Sequence, residues 1–262
     1  MKFHRIWASA LHYIYTQKRS IPRTMDILYW PILNILLWGF LSVFLLQQSE
    51  GVPNIVAFLL GGLILWQIFS RAQQDISIHF LEDIWNRNLI NLFVSPLTNF
   101  EYILSFVLMS IVKVILTGIV MGVITLVLYQ FNIFTFAWEL LPFIINLFFF
   151  GWIVGLFIMA MIIRWGTDAQ ILAFSFAFLL QPFSAVFYPI SILPIGAQVI
   201  GYLLPSTYVF EGMRTILAGG AFPGDMALLA FIFNLGYLVL SILLFRFMFN
   251  KVLEKGLLTK LE

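Results

Sequence analysis

The chain has 262 residues, of which 62% are hydrophobic and only 10% are charged, and its mean hydropathy is +1.01. Soluble domains carry about 25% charged residues and cannot bury this much apolar surface, so the composition excludes an ordinary soluble protein. The net charge of +2 is too small to indicate a nucleic-acid partner. The lack of cysteine excludes a disulfide framework and a thiolate metal site.

The N-terminal residues 1–22 lack the uninterrupted apolar stretch of a cleavable signal peptide. Their pattern instead predicts an amphipathic helix. Phe3, Trp7, Ala10 and Ile14 recur on one side at helical spacing. The opposite side carries Lys2, Arg5, Ser9, His12, Thr16 and Arg19. Such a helix lies at the membrane interface with its basic side toward lipid phosphates. The alternative is a short cytosolic helix packed on the rest of the protein.

Six apolar segments approach the length of about 20 residues that crosses a membrane. These predicted spans are residues 27–47, 54–70, 102–129, 140–163, 169–188 and 226–249. We expect all of them to be helical, because backbone amides in lipid need internal partners and no alternating barrel pattern is present. The predicted fold class is therefore an all-α integral membrane protein, with a single transmembrane domain over residues 1–262.

The distribution of lysine and arginine predicts that both termini are cytoplasmic. These residues cluster in the first 26 residues and again around the C-terminal end. Because cytoplasmic segments carry an excess of positive residues, the number of spans should be even. Six spans leave the proline-broken residues 189–221 as an outer re-entrant segment. The predicted location is a multi-pass protein of the plasma membrane, the inner membrane of a bacterium.

A short amphipathic helix is predicted over residues 81–95, between the second and third spans. Ser95 and Pro96 end it, because the residue before a proline disfavours the α conformation. It is either a surface helix on the lipid headgroups or a coupling helix that docks on a soluble partner. The candidate docking residues are Glu82, Asp83, Trp85, Arg87, Leu89, Asn91, Ser95 and Pro96.

Lys113 is the one ionisable residue predicted to lie well inside a span. We expect it either to reach the inner headgroups with its long stem or to form an internal pair. A direct role in substrate binding is the alternative. Two GxxxG patterns, at residues 118–122 and 151–155, predict close helix packing within the protomer, with a dimer contact as the alternative.

The sequence has no GxxxxGK[ST], HExxH or GxSxG motif, so we expect no catalytic residue, no metal and no cofactor in this chain. Aromatic residues are dense in the first and fifth spans, where they pack, anchor at the interface, or line a path for an apolar or sugar-like molecule. The candidate substrate-path residues are Trp30, Asn34, Trp38, Phe178, Gln181 and Phe183.

Three stretches carry a resemblance to a known family. They are EDIWNRNLINLFVSPLT at residues 82–98, QPFSAVFYPISILP at residues 181–194 and LLPSTYVFEGMR at residues 203–214. In order and spacing, the chain resembles the permease subunits of type-2 ABC transporters, six-span exporters of O-antigen, capsule, teichoic acid, nodulation factors or drugs. Residues 88–91, NLIN, depart from the Gly-Thr-Leu-Glu-like sequence of many members.

The resemblance implies that this chain works with a second copy of itself, or a similar permease, and with two separate ABC ATPase subunits that bind MgATP. The helix at residues 81–95 would seat in a groove of the ATPase, and the N-terminal helix would also reach it. Residues 189–221 would cap the outer mouth. The implied outer-gate residues are Tyr188, Pro189, Pro194, Pro205, Tyr208, Glu211 and Arg214.

The predicted function is export of an amphipathic or lipid-linked substrate, which is a glycan, a lipid or a drug. The expected partners are the ATPase, the second permease and membrane lipid, with no nucleic acid. The alternatives are a six-span carrier or channel without an ATPase, and a membrane-embedded transferase. A carrier predicts buried acidic residues, and a transferase predicts a convergent set of polar side chains.

Overall fold

The computed structural model describes residues 3–48, 55–88 and 98–254, and this part of the chain is helical and contains no strand. The long helices are α1 (Phe3–Arg19), α2 (Ile21–Gln48), α3 (Ile55–Trp85), α4 (Asn99–Tyr129), α5 (Ala137–Trp165) and α6 (Gln170–Leu180). The last three are α7 (Ile195–Leu203), α8 (Pro205–Leu217) and α9 (Gly224–Glu254). Short 3₁₀ turns occupy Ile133–Phe136, Gly166–Ala169, Gln181–Phe183 and Ile190–Ile192. The predicted all-α class is confirmed.

Within the described residues, five helical stretches are long and apolar enough to cross a membrane. They are Thr24–Gln48, Ile55–Trp85, Phe100–Tyr129, Ile133–Phe183 and Gly224–Val252. The third and fifth of these expose many large apolar side chains, which in water would form an unfavourable surface. The protein is therefore a multi-pass membrane protein.

The stretch Ile133–Phe183 contains two of the predicted spans, and the chain reverses inside it. A straight helix of 51 residues would be about 75 Å long, more than twice the bilayer core. Gly166, with φ of 65°, adopts a backbone conformation that favours glycine and ends α5. The rings of Phe157 and Phe176 then lie 5.7 Å apart, so α6 runs back along α5 as an antiparallel neighbour.

α6 is shorter than the predicted fifth span over residues 169–188. Regular helix ends at Leu180, and a 3₁₀ turn continues only to Phe183. Pro182 cannot donate the next helical hydrogen bond, and Ala185 has φ of 54°, outside the helical region. Residues 170–183 therefore extend roughly 20 Å, less than the bilayer core. α7 and α8, with 9 and 13 residues, are each too short to cross alone.

α3 is longer than the predicted second span, which ended at residue 70. The polar residues beyond that point do not end the helix, because their side chains have partners inside the protein. Arg71 pairs with Asp26 at 2.8 Å, and Lys113 donates to Asp75 at 2.9 Å. Hydropathy alone placed the residues after 70 outside the lipid, whereas the fold supplies ion-pair partners for Arg71 and Asp75 inside the protein.

The cytoplasm-facing helix predicted over residues 81–95 is interrupted, since residues 81–85 form the last turn of α3. Arg87 adopts φ of 53°, and its N–H donates to the Ile84 carbonyl at 3.0 Å. The Asn88 N–H donates to the Asp83 carbonyl at 2.8 Å, which completes a Schellman motif. The other candidate docking residues, Leu89, Asn91, Ser95 and Pro96, lie outside the described residues.

α3 and α5 form the centre of the protein, and two glycines let them approach closely. A Cβ atom at Gly151 would lie 2.6 Å from the Ala72 Cβ, and one at Gly155 would lie 2.8 Å from the Gln73 carbonyl oxygen. This pair confirms the prediction of packing within the protomer. Gly118, in the other GxxxG pattern, makes no such close approach, because no described atom lies within 4 Å of its Cβ position.

We expect Gly155→Leu to destabilise the protein by about 1–3 kcal/mol or more, because α3 and α5 must move apart. The thermal unfolding temperature of the detergent-solubilised protein, followed by loss of the monodisperse peak, measures this effect. Gly118→Leu is the matched control, since it adds the same side chain where space is open. Equal losses in both variants would contradict the contact.

α1 packs against α4 and α2 through one side only. Ile6, Ala10 and Tyr13 are buried, whereas Trp7 is 48% exposed. The Ser9 hydroxyl donates to the Ser105 hydroxyl at 3.1 Å. The helix therefore packs on the rest of the protein, as in the alternative prediction, and still leaves an aromatic side chain outside. Its location at a membrane interface stays a prediction.

Candidate functional site

A cavity of about 810 Å³ lies between α2, α3 and α6, with contributions from α1 and α4. Its volume is within the range of about 300–1,000 Å³ typical of small-molecule sites. Aromatic side chains form one part of the wall: Trp30, Trp38, Trp66, Trp85, Phe174 and Phe178. Ionisable side chains form another part: Asp26, Arg71, Asp75, His79, Glu82 and Lys113. The cavity therefore offers both apolar faces and charged groups to one ligand.

The predicted substrate-path residues converge on this cavity. Five of the six line it, namely Trp30, Asn34, Trp38, Phe178 and Gln181. The sixth, Phe183, follows on the 3₁₀ turn after α6 and is not among the lining residues. The Trp38 ring stacks on Phe187 at 4.3 Å, so part of the aromatic set also packs against the protein. Their role in transport stays a prediction.

A chain of polar contacts crosses the ionisable wall from Asp75 to Glu82. The Lys113 Nζ lies 2.9 Å from the Asp75 Oδ1 and 3.0 Å from the His79 Nε2. Because an ammonium has no acceptor, Nε2 accepts and the His79 proton sits on Nδ1, 3.3 Å from the Glu82 Oε2. Asp75, His79 and Lys113 are all buried. Of the predictions for Lys113, the internal pair is the one found.

A second ion pair joins α3 to α2 in the same wall. The Arg71 Nη1 lies 2.8 Å from the Asp26 Oδ2, and its other terminal nitrogen donates to the Asp26 backbone carbonyl. The Arg71 side chain is buried, whereas half of the Asp26 side chain is exposed. Arg71 and Lys113 thus hold two carboxylates at different heights along α3, and each pair ties α3 to another helix.

The Asp83 carboxylate joins three helices near the end of α3. Its Oδ2 accepts from the Tyr13 hydroxyl of α1 at 2.7 Å and from the Tyr102 hydroxyl of α4 at 2.5 Å. Its Oδ1 accepts from the Asn88 side chain at 3.2 Å. Burial, together with the Asp83 charge, raises the pKa of Tyr13 far above its usual value, so this tyrosine stays a neutral donor.

α8 holds the irregular segment 184–190 by charged contacts. The Glu211 Oε1 accepts from the Ile190 N–H at 2.7 Å. Arg214 pairs with Glu211 at 3.1 Å and donates to the Ala185 carbonyl at 2.5 Å. Charge-assisted bonds of this kind are stronger than neutral ones, so the contact fixes the segment on α8.

The remaining predicted gate residues shape the same region. Pro189 and Pro194 precede the turn at residues 190–192 and helix α7, and Pro205 is the first residue of α8. Proline suits such positions, because a backbone N–H at the start of a helix would have no helical acceptor. The hydroxyls of Tyr188 and Tyr208 each donate to a backbone carbonyl six residues earlier, at 2.6 and 2.8 Å.

Residues 13–218 match the family model described as ABC-2 type transporter. The chain belongs to the ABC-2 type transporter family. The match runs from within α1 to just beyond α8, so it includes the cavity, both ion pairs and the Glu211–Arg214 contact. Members of this family are the membrane components, or permeases, of ABC transporters, and they generally work with a separate ATPase subunit. The comparison with individually curated proteins finds no match.

The four predicted docking residues of this ABC-2 permease that the structure describes do not share one surface. Trp85 and Arg87 are exposed at the end of α3, and Glu82 is partly buried beside His79. Asp83 was predicted to meet the ATPase, but its carboxylate is buried and bonded to two tyrosines. Its described contacts position helices rather than present a polar group to a partner.

Sequence reasoning missed the ionisable wall of the permease cavity, although the sequence contains a signal for it. Gln67, Arg71, Asp75, His79 and Asp83 follow each other at intervals of four residues. Residues at this spacing lie close together along one side of a helix. The predicted second span ended at residue 70 and the next predicted helix began at residue 81, so these residues were not recognised as one side of a single helix.

Proposed function

We propose that this permease is the membrane subunit of an ATP-driven exporter in a bacterial inner membrane. It would move an amphipathic or lipid-linked glycan, lipid or drug outward, using MgATP hydrolysed by a separate ATPase. The observation that supports this best is the cavity, whose wall combines four tryptophans with two ion pairs. An amphipathic molecule has the matching chemistry, with an apolar part for the rings and a polar part for the charged wall.

The proposed arrangement is a homodimer, or a pair of similar permeases, with two ATPases at the inner face. Trp85 and Arg87, exposed at the end of α3, lead directly into the segment proposed to dock on the ATPase. The same helix carries Asp75 and His79 in the cavity wall. A displacement of the docked segment would therefore reach the cavity through α3. The hydrogen bonds from Tyr13 and Tyr102 to Asp83 would transmit the same movement to α1 and α4.

Leu89→Asp tests the docking segment. If Leu89 is desolvated in the complex, an aspartate there should weaken assembly by several kcal/mol, which is enough to lose the ATPase during purification. The measurement is the ratio of ATPase to permease after affinity purification of the co-expressed complex. Gln130→Asp, an exposed residue after α4, is the control. Recovery that is the same for both variants would contradict a docking role for Leu89.

The proposed topology has six spans and both termini in the cytoplasm. α5 is the fourth crossing, and α6 together with the segment that follows it is the fifth. Single cysteines can test it, because the natural chain has none. We expect a cysteine at Thr259 to resist an impermeant thiol reagent in intact cells and to react after permeabilisation. A cysteine at Thr135, exposed between α4 and α5, should react in intact cells. The reverse pattern would overturn the orientation.

One observation favours the second candidate, a carrier that needs no ATPase. Such carriers keep ionisable residues within the protein at membrane depth, and Asp75 and Lys113 form a buried pair of this kind. Proteoliposomes that contain the permease alone distinguish the two functions. A carrier accumulates substrate in response to an ion gradient, whereas the proposed exporter moves substrate only with its ATPase and MgATP.

A further inference from the structure

We propose that Asp75 and Lys113 form a recognition site for an uncharged polar group of the transported molecule, one that both donates and accepts a hydrogen bond. A hydroxyl is the simplest such group. The inference rests on the proposed transport function, because it assigns a ligand to the same cavity. It adds the contact residues and the chemistry of the group that they select.

The Asp75 carboxylate provides the acceptor. Its Oδ1 accepts from the Lys113 ammonium at 2.9 Å, whereas its Oδ2 has no hydrogen-bond partner among the described residues. The residue is 5% exposed and lies in the cavity wall. A buried carboxylate oxygen without a donor is unfavourable, since it has lost its water and gained nothing in return. A donor delivered by a ligand would remove this defect.

The Lys113 ammonium provides the donor. It has three N–H groups, and two of them serve the Asp75 Oδ1 and the His79 Nε2. No acceptor for the third N–H lies among the described residues, and the ammonium is next to a carboxylate that needs a donor. A hydroxyl satisfies both at once, because its oxygen accepts while its proton is donated.

The charges around the pair favour a neutral group. Lys113 already balances Asp75, and Arg71 already balances Asp26. A charged ligand group would compete with one partner of a buried pair and leave the other uncompensated, which is strongly unfavourable. The Glu82 carboxylate contacts the His79 ring and adds a negative charge to the cavity wall near the pair. A cationic ligand is therefore the main competitor, and the test includes one.

The aromatic wall defines the rest of the ligand. Trp30, Trp38 and Trp66 line the same cavity and offer flat apolar faces. The ligand should therefore carry an apolar part beside its hydroxyl group. A sugar attached to a lipid and the glycerol hydroxyl of a lipid both meet this description, and two probes separate them.

The experiment compares short amphipaths that share one tail. The permease in lipid nanodiscs is titrated with hexyl β-D-glucoside, 1-O-hexylglycerol, hexyl phosphate and hexyltrimethylammonium, and tryptophan emission is followed. We expect an uncharged probe to bind about tenfold more tightly than either charged probe. Tighter binding of hexyl β-D-glucoside than of 1-O-hexylglycerol indicates that the site recognises a sugar. Equal binding of these two probes indicates that it recognises a lipid hydroxyl. Tighter or equal binding of a charged probe overturns the proposal.

The variant Asp75→Asn/Lys113→Met removes both charges together, so it leaves no unpaired ion. We expect it to bind the preferred probe about tenfold or more weakly, while Glu139→Gln, exposed at the start of α5, binds it normally. Unchanged binding by the double variant also overturns the proposal. The probe comparison needs only the unmodified chain and no ATPase, so this site and the exporter function fail independently.

Discussion

Asp83→Ala is expected to prevent recovery of folded permease, or to lower its thermal unfolding temperature strongly. The substitution leaves the buried Tyr13 and Tyr102 hydroxyls without their acceptor and also removes a bond to Asn88. Each buried polar group left unsatisfied costs about 1–3 kcal/mol, so the combined loss is several kcal/mol. This is a large part of the stability of a typical domain. Yield of monodisperse protein and its unfolding temperature measure the effect.

Two further variants separate the contributions at Asp83. Asp83→Asn keeps an acceptor oxygen and should therefore retain part of the stability, whereas Tyr13→Phe removes a single bond and should cost only about 1.5–3 kcal/mol. Asp225→Ala, at the exposed start of α9, is the matched control for removal of a carboxylate. If Asp83→Ala behaves like Asp225→Ala, the three-helix contact is not a stabilising one.

The apolar spans that pack as long uninterrupted helices could be predicted from the sequence. The spans predicted at residues 102–129, 140–163 and 226–249 lie inside α4, α5 and α9. The helices extend a few residues further, because polar residues can continue a helix when they cap it. Thr98 and Glu101 do so at the start of α4, where each side chain bonds the backbone N–H of the other.

The end of α3 could not be predicted, because the deciding partners are distant in the sequence. Gln73 donates to a carbonyl 100 residues away, and Lys113 meets Asp75 across 38 residues. Without those partners, a run containing Arg71 and Asp75 indicates a solvated loop. The end of α3 is also unusual, since Arg87 rather than glycine takes the left-handed position.

The candidate site was half predictable for the same reason. The substrate-path residues were chosen because the first and fifth spans combine aromatic side chains with polar residues such as Asn34 and Gln181, and five of the six chosen residues do line one cavity. The ionisable residues across the cavity were missed because hydropathy placed them outside the membrane. Their interval of four residues is visible without a structure, but it indicates a site only once Lys113 from α4 is known to face it.

Lys113→Met is expected to destabilise the permease by about 3–5 kcal/mol, because it leaves the Asp75 carboxylate buried and without its partner. Lys113 is 8% exposed, so its charge is only weakly screened by solvent. Unfolding temperature and yield of the monodisperse protein measure the loss. Lys251→Met, near the partly exposed end of α9, is the control that removes a lysine outside the cavity.

The decisive comparison is the double variant Asp75→Asn/Lys113→Met. Replacing both members of a buried pair is often close to neutral, because the attraction that is lost is offset by the desolvation that is no longer required. We therefore expect Asp75→Asn to restore most of the stability lost in Lys113→Met, with a coupling energy of about 0.5–3 kcal/mol or more between the two substitutions. If the two losses simply add, Lys113 acts through packing of its stem or through His79, and the Asp75–Lys113 pair is not the unit that holds α3 to α4.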